Sequence, residues 1–216
     1  MNGIWILLFL LLIAALPVLV VFLWFRAAKS PITMRWFLLA LTAGVFSLVP
    51  AAFIQNLFPF QAGGGLGHIF FGVFVRIALI EEASRLVTLV PLLKAGASRR
   101  SMDSSFAAGL GLAAGLGFAA IENAFYGTAD FRITLLRAFT AAPLHGACAI
   151  RAGVAVLFFR QQPLKAFLLF ASAVLIHGAY NLIIISPALP SLLALPIAFA
   201  ALFATLPYLK DSDIRR

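Results

Sequence analysis

An all-α bundle of about seven transmembrane helices is the fold this sequence predicts, on three observations. Of its 216 residues, 63% are hydrophobic and 11% charged, and the mean hydropathy is +1.08. A soluble domain is nearer half apolar and a quarter charged. The apolar residues fall into seven runs close to the ~20 residues that span a hydrocarbon core: 4–25, 36–54, 68–93, 106–126, 133–159, 166–185 and 191–209. The basic residues between those runs alternate in density from one connection to the next. A single integral membrane domain, 1–216, fills the length, with its motif-bearing core at about 68–185.

The first run is too long for a signal peptide, and no positive charge precedes it. Arg26, Lys29 and Arg35 follow it, the pattern of an uncleaved anchor with its N-terminus outside. One set of connections and ends carries Arg26, Lys29, Arg35, Lys94, Arg99, Arg100, Arg160, Lys165, Lys210, Arg215 and Arg216. The alternate set (55–67, 127–132 and 186–190) carries only Arg132. Basic residues mark cytoplasmic loops, so the N-terminus is expected outside and the C-terminus in the cytoplasm. The net charge of +9 is thereby an orientation signal. No basic stripe with interleaved aromatics is present, which argues against nucleic-acid binding.

The second run holds Pro50, and the outer connection after it contains Gly63-Gly64-Gly65, expected to be mobile. The third run is the anomaly, because it carries Arg76, Glu81, Glu82 and Arg85. A charge at the centre of a span costs ~2.5–3.5 kcal/mol, against ~0.3–0.6 gained per Leu, Ile, Phe or Val. The charges cancel most of the apolar gain, and ionisable groups at that depth face the protein interior and mark function. The fourth run places Gly111 and Gly115 on one helix face, a spacing that lets a neighbouring helix approach closely. A nucleotide loop is excluded, since no strand precedes it. It also carries Phe118, Glu122 and Asn123. The fifth holds Arg137, Pro143, His145, Cys148 and Arg151; the sixth, His177 with Asn181 one turn later; the seventh, Pro196. The lone Cys148 permits neither an internal disulfide nor a Cys-rich metal site.

At ~1.5 Å per residue, Glu82, His145 and His177 fall near mid-membrane, with Glu122 and Asn181 toward the outer side. Spacings of four and three put Arg85 beside both Glu81 and Glu82. One acid is expected to be held by Arg85 and the other to do chemistry, with Glu82 preferred for the latter. Arg137 and Arg151 are expected to neutralise carboxylates or snorkel. Two imidazoles and a carboxylate form the ligand set of a catalytic zinc, with His145, His177 and Glu122 as candidate ligands and a further glutamate as base. The same groups also permit a metal-free mechanism, in which a buried carboxylate is the base and imidazoles stabilise the oxyanion. No His-Glu-x-x-His, Gly-x-Ser-x-Gly or paired intramembrane aspartate is present.

Glu81-Glu82-x-x-Arg85, Phe118-x-x-x-Glu122-Asn123, Arg137-Ala-x-x-x-x-Pro143-x-His145-Gly and His177-Gly-Ala-Tyr-Asn181 follow in that order on four successive runs. Together they resemble the PrsW intramembrane proteases, which belong with the CAAX prenyl endopeptidases and bacteriocin-processing proteins. The resemblance covers about 70–182. It implies an intramembrane endopeptidase that cuts a single-span, anti-sigma-factor-like substrate in a bacterial cytoplasmic membrane. Glu81, Glu82, Glu122, His145 and His177 would be the catalytic residues, supported by Arg85, Asn123, Arg137 and Asn181. Two departures bear on this: Arg85 stands where the family usually has Lys, and Glu122 stands where CAAX-type relatives carry His. The superfamily also includes a non-catalytic scaffold subunit of γ-secretase, so a scaffold is one alternative. A proton-coupled transporter is the other, since acids and imidazoles also build proton relays. The absence of a two-fold repeat weighs against it.

Overall fold

Prolines and short polar caps set where the helices begin and stop in the computed structural model, which describes residues 3–59, 65–97, 103–128, 130–186 and 189–210. The first apolar run is two helices, α1 (Gly3–Ala14) and α2 (Leu16–Ala27), joined at Ala15. Pro17 sits in the first turn of α2, where its missing N–H costs nothing. Thr33 caps α3 (Met34–Leu57) by accepting from Trp36 N. Asp103 Oδ1 accepts from Phe106 N at 2.7 Å at the start of α6 (Ser104–Tyr126). Asp130 Oδ1 accepts from Arg132 N at 2.9 Å before α7 (Phe131–Phe158). Pro163 opens α8 (Pro163–Ile185), and a 3₁₀ turn (Ser191–Leu193) leads into α9 (Ala194–Phe203) and α10 (Leu206–Lys210).

The third run forms α4 (Leu66–Phe70), a π-helical stretch (Phe71–Leu79) and α5 (Ile80–Ala97) without interruption. π-turns inside helices concentrate at functional sites, and this one ends at Leu79, two residues before Glu81.

Six of the seven expected runs form helices or helix pairs long and apolar enough to cross a membrane: Gly3–Ala27, Met34–Leu57, Ser104–Tyr126, Phe131–Phe158, Pro163–Ile185 and Ser191–Lys210. The third run is long enough, but its charges keep it out of that set. The described residues contain no strand. Gly63 and Gly64 of the outer connection, and the orientation residues Arg99, Arg100, Arg215 and Arg216, lie outside the described residues.

The core is α6 against α7, both almost wholly buried, while α1, α2 and α8 expose most of their surface. Glycine makes that centre possible. A Cβ on Gly111 would meet the Ala149 carbonyl, and one on Gly115 the His145 carbonyl, so α6 and α7 touch backbone to backbone, as the small-residue spacing predicts. Gly117 lies likewise on Leu41 O of α3, and Gly44 of α3 on Ala114 O of α6. Gly178, next to His177, receives the Phe74 ring of the π-helical stretch. These contacts draw α3, α5, α6, α7 and α8 around one polar centre.

Candidate active site

Glu82, Arg85 and His177 make the deepest part of that centre, and none is more than 1% exposed. Arg85 Nη1 donates to both carboxylate oxygens of Glu82 at 2.7 and 2.8 Å. His177 Nδ1 lies 2.8 Å from Glu82 Oε1. A carboxylate gripped by a guanidinium is an acceptor, so Nδ1 carries a proton and Nε2 is the nitrogen turned to Glu81. A histidine that donates one nitrogen to a carboxylate and offers the other is the usual form of a metal-ligating imidazole. The expected division of the two acids is reversed: Arg85 holds Glu82, at the i,i+3 spacing, and Glu81 is left for the site.

Glu81 has no arginine. Its Oε1 accepts from Gln55 Nε2 of α3 at 3.1 Å. Its Oε2 is buried without a hydrogen-bond partner and lies 3.6 Å from His177 Nε2.

The second half of the site joins α6 and α7. Gly115 lies against the backbone of His145, and Glu122 is about 10 Å farther along α6 at ~1.5 Å per residue. Side chains lean toward the N-terminus of their own helix, and in this antiparallel pair the two therefore lean toward each other. His145 Nε2 reaches Glu122 Oε2 at 2.9 Å. Arg137 Nη2 donates to the same oxygen at 2.6 Å, and its Nε donates to Asn123 Oδ1 at 2.8 Å. The Tyr126 ring stacks on Arg137, 4.1 Å from ring centroid to guanidinium carbon.

Arg85 ties the two halves together. Its Nη2 donates to His145 Nδ1 at 3.2 Å, and its guanidinium lies 4.3 Å from the centroid of Phe118. The His145 and His177 rings are 4.9 Å apart and perpendicular.

One group of three described residues offers metal-ligand atoms within 4.8 Å of one another: Glu81, His145 and His177. That group contains Glu81 rather than Glu122, the carboxylate expected beside the two histidines; Glu122 pairs with Arg137 and His145. The chemistry of this set fits a cation. Three carboxylates face two guanidiniums, and Glu81 is the one without a guanidinium partner. Its partnerless oxygen faces His177 Nε2 at 3.6 Å, a separation that leaves both atoms able to turn to one cation.

The other sequence candidates are placed as follows. Asn181 is half-buried and makes no side-chain hydrogen bond among the described residues. Its neighbour Tyr180 is the buried one, with its hydroxyl 3.0 Å from Thr140 Oγ1. Arg137 neutralises a carboxylate as expected. Arg151 does not: it is 8% exposed and donates to the carbonyls of Ala147 and Ala201, each at 3.1 Å. Sequence reasoning missed Gln55, which it left in the outer connection. It also missed the use of Arg76, which donates to Phe58 O and, at 2.9 Å, to Gln55 O. The signal for Gln55 was polarity at the end of an apolar run, and that for Arg76 was a charge inside one.

The chain matches the family described as PrsW family intramembrane metalloprotease over residues 31–206. Neither the curated proteins nor the solved structures yield a match. With α3 to α9 and every residue of the polar centre inside the matched span, this chain is a member of the PrsW family of intramembrane metalloproteases and a protease of the membrane.

Proposed function

We propose that the protein hydrolyses a peptide bond of a single-span, anti-sigma-factor-like substrate in the outer half of a bacterial cytoplasmic membrane. In this reading the third run is a seventh span, the N-terminus is outside and the C-terminus is cytoplasmic. The distribution of Lys and Arg supports that orientation, which puts Glu122 within about 6 Å of the outer end of α6 at ~1.5 Å per residue. The Glu81-Glu82, His145 and His177 elements, in that order, support kinship with the CAAX protease superfamily, and Glu122 favours its PrsW branch.

The observation that carries the reading is the buried, partnerless Glu81 Oε2 facing His177 Nε2, with His145 close by. Glu81, His145 and His177 would hold a zinc ion, one carboxylate and two imidazoles being a common catalytic set. Bound there, zinc supplies Lewis-acid polarisation of a carbonyl and of water. The remaining roles belong to the protein. Glu82, fixed by Arg85, keeps the proton of His177 on Nδ1. Gln55 holds Glu81 Oε1 and leaves Oε2 for the ligand position. Glu122 accepts the proton of the attacking water and delivers it to the leaving amine, held in place by Arg137. A partly unwound substrate strand reaches Glu122 from its side, where the carboxylate is 16% exposed.

One observation favours a second reading. Both nitrogens of His145 are already engaged, Nδ1 as acceptor from Arg85 and Nε2 as donor to Glu122. Without a metal, Glu81 Oε2 would be the base, and the Nε2–H of His145 would serve the oxyanion. Metal content and cleavage of a model span, measured on the same reconstituted protein, separate the two. The expected result is one metal per chain, lost together with cleavage in Glu81→Gln and His177→Ala while insertion persists. Full cleavage by metal-stripped protein would end the metal reading, and full cleavage by Glu81→Gln would remove Glu81 from both.

A further inference from the structure

A cavity of about 530 Å³ opens between the end of α2, the start of α6 and the end of α10, far from the polar centre. We propose that it binds the phosphate of an anionic phospholipid headgroup. Lys29 and Lys210 both line it, one from each end of the chain, so their meeting is not the stripe of a single helix. Neither forms an ion pair among the described residues. The one carboxylate in the wall, Asp103, is committed locally: its Oδ1 accepts from Phe106 N at 2.7 Å and from Ser105 Oγ at 3.1 Å. Ser30 adds a hydroxyl, which accepts from Ile32 N and keeps its own proton to donate.

Lys29 carries a second observation. Its φ is 50°, and it is the only non-glycine with positive φ among the described residues. It follows the last turn of α2, where Ser30 N returns to Phe25 O at 3.0 Å. This is the left-handed cap that glycine usually fills because other side chains resist it. The chain keeps a lysine there, at the mouth of a cavity where two lysines meet one carboxylate, that of Asp103, which is hydrogen-bonded to Phe106 N and Ser105 Oγ.

A lipid is favoured over a soluble anion by the rest of the wall. Trp24 and Leu209 line the cavity, and Trp24 continues onto the exposed apolar surface with Leu23. Tryptophan settles at headgroup level, and in the topology proposed above this face meets the anionic cytoplasmic leaflet. A phosphodiester held here would join the end of α2 and α10 to α6.

The test is retention of phosphatidylglycerol against phosphatidylcholine by the full chain in detergent, counted by native mass spectrometry. One phosphatidylglycerol per chain is expected, with affinity about five-fold weaker for each lysine removed in Lys29→Gly, which suits the left-handed backbone, and in Lys210→Gln. Arg26→Gln, on the same face but outside the cavity, should leave retention unchanged. Unaltered affinity in the double variant, equal retention of phosphatidylcholine, or an equal loss in Arg26→Gln would overturn the proposal. Displacement by equimolar inorganic phosphate would instead make this a soluble-anion site and overturn the lipid assignment.

Discussion

The Glu82 node and the Glu122 node each join a carboxylate, an arginine and a histidine, yet they are built for different tasks. At Glu82 one guanidinium nitrogen grips both oxygens, and none of the three side chains is more than 1% exposed. At Glu122 the arginine takes a single oxygen and gives its Nε to Asn123, and Glu122 and Arg137 stay 16% and 11% exposed. The sealed node can only hold things in place. The open one can exchange protons with what arrives. Glu81 lies between them with no arginine at all. The difference teaches that the number of charges at membrane depth says less about function than how completely each is saturated.

Glu122→Gln tests that division most severely. If Glu122 carries the proton, cleavage of a single-span substrate in proteoliposomes should fall by about 10²–10⁴-fold, the usual contribution of a positioned acid or base. Metal content should remain at the parental level. A loss of metal with the activity would move Glu122 into the ligand set and make the two nodes alike.

Glu82→Ala breaks the sealed node. It leaves Arg85 buried without its counter-charge, a change that costs about 3–5 kcal/mol in comparable buried pairs. Thermal unfolding in detergent should drop sharply, and far more than for Glu122→Ala, where lipid headgroups and water can reach Arg137. Equal shifts in the two variants would show that exposure does not separate the nodes.

Arg85→Lys examines the link between them. An ammonium can keep Glu82 paired but cannot also hold His145 Nδ1, because it lacks the fork of the guanidinium. His145 is then free to carry its proton on Nδ1 and to offer Nε2. Metal affinity, measured by competition with a chelator, should rise by about ten-fold, within the range through which outer hydrogen bonds tune a site. Unchanged or weaker affinity would show that the Arg85–His145 contact does not control the tautomer.

Much of this was legible in the sequence, for physical reasons that also mark where legibility ended. Helices that cross a bilayer must carry their apolar residues in long runs, so the runs were readable. The glycines at 111 and 115 announced a close helix contact because only small residues permit it, though not that α7 would make it. The charges at 81, 82, 85, 122 and 137 stood out because each is costly in an apolar segment. Pairing was harder. Arg85 is near both Glu81 and Glu82 on the helix surface, and only the placement of α8 decides that His177 joins it at Glu82. Gln55 carries no charge and sits at the end of a span, where an amide is unremarkable. Its contact with Glu81 depends on how α3 packs against α5, which no local pattern encodes.

Gln55 is also where the smallest effect is expected. Its amide is half-buried and donates to one oxygen of Glu81, and a hydrogen bond of this kind contributes about 0.5–1.5 kcal/mol net. Gln55→Ala should slow cleavage by about three- to ten-fold and leave the unfolding temperature almost unmoved. If Gln55 positions Glu81, then Gln55→Asn, which keeps the amide on a shorter stem, should recover part of the rate, while Gln55→Leu should not. Arg76→Gln, which releases the Gln55 carbonyl without touching the amide, should produce a smaller loss in the same direction. Equal rates for alanine, asparagine and leucine at position 55 would mean that Glu81 is oriented by His177 and its ligand alone. The sealed node would then fix both glutamates of the pair.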